Sequence, residues 1–182
     1  MKVMIIIRVK KMKYYLYFFG FVIGFVINTS AFGQNATSSA TAQASIVQPI
    51  NLSKVRDLSF GNISAGESSG TVVLEPTAAS TRSVNGGVTL PSGSGTVQSA
   101  IFIASGVNGY AYTITLPSAA ITLSDGTHLM TADNFTSVPS GSGIFTPGSQ
   151  TIYVGATLNV NANQEAGDYE STEDFEVTLN YN

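Results

Sequence analysis

The chain has 182 residues and a net charge of −3, set by eight basic and eleven acidic side chains. All eleven acids but only three of the bases follow residue 33, so residues 34–182 carry a net charge of −8, which argues against nucleic acids and anionic membrane surfaces as partners. The chain has no cysteine and one histidine, which excludes a disulfide framework and a thiol nucleophile and argues against a zinc site.

Residues 1–33 have the layout of a secretory signal peptide. A basic head precedes an apolar run of 14 residues, 14–27, and the small residues Ala31 and Gly33 stand before the expected cleavage site. A membrane-spanning helix needs about 20 apolar residues, so an uncleaved anchor is the weaker alternative. We expect cleavage after Gly33, export to the periplasm, the cell surface or the medium, and no membrane insertion after cleavage.

The first half of the exported part predicts an arm followed by strands. Residues 34–44 are mostly Ser, Thr and Ala with no large apolar side chain, which indicates a flexible N-terminal arm. Apolar residues then alternate with polar ones over 46–52, as in a half-buried strand. The Ser/Gly-rich residues 66–70 predict a turn before the β-branched run 71–74. Asn85-Gly86 predicts a tight hairpin, because both of its central residues need positive φ.

The second half continues in the same way. Alternating or apolar segments at 100–104, 110–116, 151–160 and 175–181 are separated by Gly, Pro, Asn and Asp. No stretch has apolar residues at helical spacing, and strands recur about every 8–12 residues. The sequence therefore predicts one all-β domain over 45–182, an antiparallel two-sheet sandwich that is immunoglobulin-like or fimbrial-subunit-like. We expect about nine or ten strands.

One motif resembles a hydrolase nucleophile elbow. Gly66-Glu67-Ser68-Ser69-Gly70 has the Gly-x-Ser-x-Gly spacing, and Asp125 and His128 follow in the order that such enzymes use. The elbow needs a helix after the serine, whereas a β-branched segment follows here. We therefore interpret the motif as a turn and His128 as a turn-adjacent histidine, and we expect no catalytic residue.

Acids and tyrosines are the other candidates for binding. Six acids lie between 165 and 176, and Asp168, Glu170, Asp174 and Glu176 are the alternative calcium ligands. A charged edge that discourages strand pairing explains them more simply, so we expect no metal and no cofactor. Five tyrosines could form a sugar-binding platform, although alternating strands more often bury aromatic residues; they are Tyr110, Tyr112, Tyr153, Tyr169 and Tyr181.

Several motifs appear in an order that resembles a known family. Residues 58–63, 110–117, 157–160, 167–169 and 177–182 together are similar to a bacterial family of exported domains, domain-of-unknown-function family 4402. The closing segment also resembles the last strand of spore coat protein U domains and of fimbrial subunits. The resemblance implies no catalytic residue.

These observations lead to one expectation and one alternative. We expect an exported, non-enzymatic β-sandwich protein that is a structural or adhesive component of the bacterial cell surface, as a fimbria-like or coat-like subunit. Its expected partners are other surface proteins or further copies of itself, joined through strand edges, and glycans. The alternative is a carbohydrate- or calcium-dependent binding module.

Overall fold

The structure is a computed structural model that describes residues 35–182, so the predicted signal peptide lies outside the described residues. Residues Ser45–Asn182 form one compact unit. The predicted arm is residues 34–44, and its described part, 35–44, carries no regular secondary structure and is exposed. The described part of the chain contains strands and turns but no helix, which confirms the all-β prediction.

Eleven strands lie between residues 35 and 182, and every pair among them is antiparallel. The strands are β1 (Asn51–Arg56), β2 (Ser64–Leu74), β3 (Arg82–Thr89), β4 (Ala100–Ser105), β5 (Ala111–Thr115), β6 (Ile121–Ser124), β7 (Leu129–Val138), β8 (Ser142–Ile144), β9 (Gln150–Val160), β10 (Glu170–Ser171) and β11 (Thr178–Tyr181).

Strand β9 is the centre of the larger, eight-stranded sheet. One edge of β9 pairs with β7, and the other pairs with β4 near its start and with β2 near its end. The strand order is β1-β4-β9-β7-β6-β10, and β2 and β3 extend the sheet beside the second half of β9. Because side chains alternate along a strand, one face of β9 supplies a row of buried apolar residues, Ile152, Val154, Ala156, Leu158 and Val160.

The smaller sheet has the order β11-β5-β8 and packs over the half of the larger sheet that contains β4. Tyr112 and Ile114 of β5 share a hydrophobic cluster with Phe102 of β4 and with the first half of β9. A second cluster lies beneath β2, β3, β7 and the end of β9. Leu58 and Phe135 contact both clusters, so the two halves share a continuous apolar interior.

Two predicted turns are wrong. Residues 66–70 lie within β2, and Asn85-Gly86 lies within β3, where Asn85 pairs with Thr71. The register shifts between Ala65 and Gly70, so glycine bends the ladder without ending it. A Cβ atom at Gly87 would lie 2.0 Å from the carbonyl oxygen of Ser68, which shows how closely the two backbones approach.

The last strand is shorter and less buried than its alternation suggests. It spans Thr178–Tyr181 and pairs with β5 alone. The alternating apolar side chains Phe175, Val177, Leu179 and Tyr181 are half-buried, and they pack against the cluster that contains Tyr112. They are half-buried because the strand lies at one edge of the smaller sheet.

Candidate functional site

The turn between β6 and β7 holds the only histidine of the chain. The Asp125 carboxylate accepts hydrogen bonds from the backbone N–H groups of Thr127 (2.8 Å) and His128 (2.6 Å), and its second oxygen lies 3.0 Å from Nδ1 of His128. The backbone N–H of His128 is the largest cause of a strong lowering of the pKa of Asp125, followed by that of Thr127 and by the His128 side chain. Ionised Asp125 therefore fixes both the turn and the imidazole.

The structure does not assemble a triad from the motif that resembles an elbow. Ser68 is exposed within β2, and strand rather than helix continues to Leu74. Among residues 35–182, no hydrogen bond joins Ser68 to His128 or Asp125. The backbone oxygen of Gly66 does approach the histidine region from β2, since it accepts a 2.8 Å hydrogen bond from the N–H of Asn163.

The alternative calcium ligands do not meet. Glu170 lies on the two-residue strand β10, where it pairs with Ser124 and is exposed. Asp168 lies in the turn before that strand, and Asp174 and Glu176 follow it on an exposed connection. Within the described part of the chain, no three His, Cys, Asp or Glu side chains are gathered as metal ligands would be.

The five tyrosines are dispersed over the domain. Tyr112 is fully buried, its hydroxyl has no protein partner within the described residues, and burial raises its pKa. Tyr169 is half-buried in the turn before β10, and Tyr153 lies half-buried on the outer face of β9. Among these five, within residues 35–182, Tyr110 and Tyr181 are the one pair of tyrosines in ring contact, edge to face with ring centroids 5.6 Å apart. The five tyrosines do not form a shared platform. Alternation places Tyr110 on the same face as buried Tyr112, but Tyr110 lies just before β5 and is 43% exposed.

Tyr181 instead joins three segments of the chain. Its hydroxyl donates to the carbonyl oxygen of Gln48 (2.9 Å) and accepts from the N–H of Val107 (2.8 Å). The segment before β1 is thereby fixed to the smaller sheet at Gln48. Immediately before that point, the side chain of Ile46 is 99% exposed.

The strands at the sheet edges differ in charge. Strand β1 carries Lys54 and Arg56 with an irregular register between them, and β10 is short and contains Glu170. These features discourage pairing with another chain. By contrast, β11 has no charged residue, and β3 has one, Arg82, at its first position. The strands β3, β8 and β11 each pair on one side only, and β8 is only three residues long, so β3 and β11 have the longer of the open, nearly uncharged edges.

Within the described residues, no helix has the length and apolar character needed to cross a membrane. The fold is that of an antiparallel all-β domain with one large and one small sheet. Residues 50–181 match the family described as a domain of unknown function, DUF4402, and the chain belongs to that family. A comparison with curated proteins finds no match.

Proposed function

We propose that the chain is an exported, non-enzymatic protein of immunoglobulin-like sandwich architecture that acts as a structural or adhesive subunit at the bacterial cell surface. The observation that carries this proposal is the pair of open, nearly uncharged edges at β3 and β11. Unprotected edges present rows of unpaired backbone groups and are sites of strand pairing between chains. The proposed partners are further copies of this chain or other surface proteins.

The location is tested by fractionation and by protease treatment of intact cells. A protein exposed at the cell surface should be degraded by a protease added to intact cells. Mass spectrometry of the exported protein should find its N-terminus at Gln34. A cytoplasmic protein that retains residues 14–27 would contradict the proposal.

Assembly is tested with a charge at the β3 edge. Val84 is 39% exposed and pairs directly with buried Val72, so Val84→Lys places an inward-facing charge on the open edge. We expect this variant to abolish oligomers that the unmodified protein forms, as measured by light scattering. Val73→Lys is the matched control, because half-buried Val73 lies on β2 and pairs with Ser83 of β3 on one side and with Thr157 of β9 on the other. An unmodified protein that stays monomeric at every concentration would exclude assembly through its edges.

A further inference from the structure

A polar depression lies beside the histidine turn. The loop that follows β9, the histidine turn and the start of β7 line an open depression of about 220 Å³. His128 and Leu129 form one side of it, and Asn161, Gln164 and Glu165 form the other. These segments meet because β7 and β9 are neighbours in the sheet, with Thr131 paired to Asn159.

Hydrogen bonds fix two of the three amide side chains of this depression. Nδ2 of Asn161 donates to the carbonyl oxygen of Leu129 (3.1 Å) and to Oε1 of Gln164 (2.9 Å). Nε2 of Gln164 donates to the hydroxyl of Tyr169 (2.8 Å), which donates to the carbonyl oxygen of Glu165 (2.9 Å). Such a connected network holds its members in one orientation, so the lining is organised before any ligand arrives.

The same bonds determine which atoms remain free for a ligand. Asn161 uses both hydrogens of its amide nitrogen, which leaves Oδ1 as an acceptor. His128 directs Nδ1 to ionised Asp125, so in the neutral imidazole Nε2 is an acceptor. The carboxylate of Glu165 makes no side-chain hydrogen bond among those of residues 35–182. The lining therefore offers several acceptors, together with the side-chain amide of Asn163, and contains no lysine or arginine.

We propose that this depression binds a single ring of a neutral saccharide. A sugar ring supplies several hydroxyl donors for the acceptors of Asn161, His128 and Glu165. Its C–H face can pack against Leu129, an apolar side chain that is 56% exposed. The depression is open to solvent and holds about 220 Å³, so one terminal ring can enter it from outside. An anionic sugar lacks a basic partner there, so the site selects against it.

This site goes beyond the proposed structural role and is separate from the edges of β3 and β11. An adhesive subunit needs a receptor, and a terminal sugar is one that a small, acceptor-rich site can recognise. The protein could therefore assemble without binding a sugar, or bind a sugar without assembling, so the two proposals are tested independently.

The test is a titration of the protein, purified in the form in which the cell produces it, with four neutral sugars. They are glucose, galactose, mannose and N-acetylglucosamine, and glucuronic acid is the anionic comparison. Backbone amide NMR signals report binding, and the signals of residues 161–165 should shift with a dissociation constant on the order of 1 mM for at least one neutral sugar. Glucuronic acid should bind more weakly than glucose.

Two matched pairs of variants locate the site. Glu165→Ala removes a lining carboxylate but keeps the backbone oxygen that Tyr169 uses, and we expect about a tenfold loss of affinity. Glu173→Ala, at an exposed acid outside the depression, should leave affinity unchanged. Leu129→Ala should also weaken binding, whereas Ile144→Ala, at a 60% exposed residue of the smaller sheet, should not.

Three results would overturn the site. One is that no neutral sugar shifts the signals of residues 161–165 at concentrations of about 10 times the expected constant. Another is that Glu173→Ala weakens binding as much as Glu165→Ala. The third is that a short lysine-rich peptide, and no sugar, binds there. Light scattering on the same samples reports assembly separately, so loss of sugar binding with oligomers retained overturns only the site.

Discussion

At the scale of single residues, two paired tyrosines illustrate opposite uses of a hydroxyl group. Tyr181 and Tyr112 are direct partners across β11 and β5. The hydroxyl of Tyr181 joins Gln48 to Val107, whereas that of Tyr112 is buried with no protein partner within residues 35–182. A hydroxyl group stabilises a fold when it is hydrogen-bonded and destabilises it when it is buried without a bond.

Removing one oxygen atom from each tyrosine should therefore have opposite effects on stability. We expect Tyr181→Phe to lower the free energy of unfolding by about 1–2 kcal/mol, because two hydrogen bonds are lost. We expect Tyr112→Phe to leave it unchanged or raise it by about 1 kcal/mol, because a buried group without a partner is removed. Urea denaturation measures both. Equal losses in the two variants would show that the ring environments, rather than the hydroxyl bonds, decide the outcome.

Asp125 gives a pH dependence whose sign follows from its contacts. Because backbone donors lower the pKa of its carboxyl group in the folded protein, the unfolded chain, with a pKa of about 3.9, takes up a proton first as pH falls. The stabilisation is fully present above about pH 4 and is lost as pH falls further towards the folded-state pKa.

Asp125→Asn isolates this contribution, because an amide can accept the same backbone hydrogen bonds without titrating. We expect the variant to be less stable than the unmodified protein at pH 7, and the difference to shrink between about pH 4 and pH 2. Thermal unfolding at a series of pH values measures it. A difference that stays constant over this range would mean that ionisation of Asp125 does not stabilise the fold.

At the scale of strands, the close packing of β9 against the chain that leaves β2 requires a glycine at position 155. A Cβ atom at Gly155 would lie 2.1 Å from the carbonyl oxygen of Leu74, where the chain leaves β2 and crosses the strand. The carbonyl oxygen of Leu74 is a backbone atom, so it cannot move aside as the end of a flexible side chain can. We expect Gly155→Ala to cost about 3 kcal/mol or more.

Gly93→Ala is the control for Gly155→Ala, since nothing lies within 4 Å of its Cβ position and its φ is negative or extended. It should change stability by less than about 1 kcal/mol, through the unfolded chain alone. Denaturant unfolding of both variants makes the comparison. Similar values for the two positions would indicate that the crossing segment after Leu74 moves freely.

The sequence predicts strands better than it predicts their partners. The alternation of apolar and polar residues located β5 and β9 correctly, because a strand with one buried face has an apolar residue at every second position. The turn signals failed at residues 66–70 and 85–86, where glycine allows a bend within paired strands rather than a reversal of the chain. Turn preferences report local conformation, and only the tertiary pairing of β2 with β3 and β9 shows that the chain continues.

The depression beside His128 was not predictable for a related reason. His128 drew attention as the only histidine, but its neighbours Asn161 and Gln164 lie more than thirty residues away. Asparagine and glutamine residues in a loop show no periodic pattern in the sequence from which their position could be predicted. Their meeting depends on the register of β7 against β9, which the alternation of either strand leaves open.

At the scale of the whole molecule, the few bases scarcely neutralise the acids. Arg56 donates to the carbonyl oxygen of Ser99 (3.0 Å), and Arg82 donates to the carbonyl oxygens of Phe60 and Asn62. In residues 35–182, Lys54–Asp57 is the one ion pair between a carboxylate and a lysine or arginine, and Asp125 contacts the imidazole of His128. Most acids are therefore unpaired, and six of them lie between 165 and 176.

This imbalance predicts a stability that rises with ionic strength. Repulsion between unpaired carboxylates opposes the compact state, and raising the salt concentration from about 0.01 M to about 0.1 M shortens the screening length from about 30 Å to about 10 Å. We expect Tm to increase over this range at pH 7. Glu173→Gln combined with Glu176→Gln should raise Tm at low salt and reduce the response to salt, because both side chains belong to the acidic segment and neither makes an ion pair in the described residues. Calorimetry of the two proteins at matched salt concentrations measures the effect. If Tm fell with added salt, attraction between the few charged pairs would outweigh repulsion among the acids.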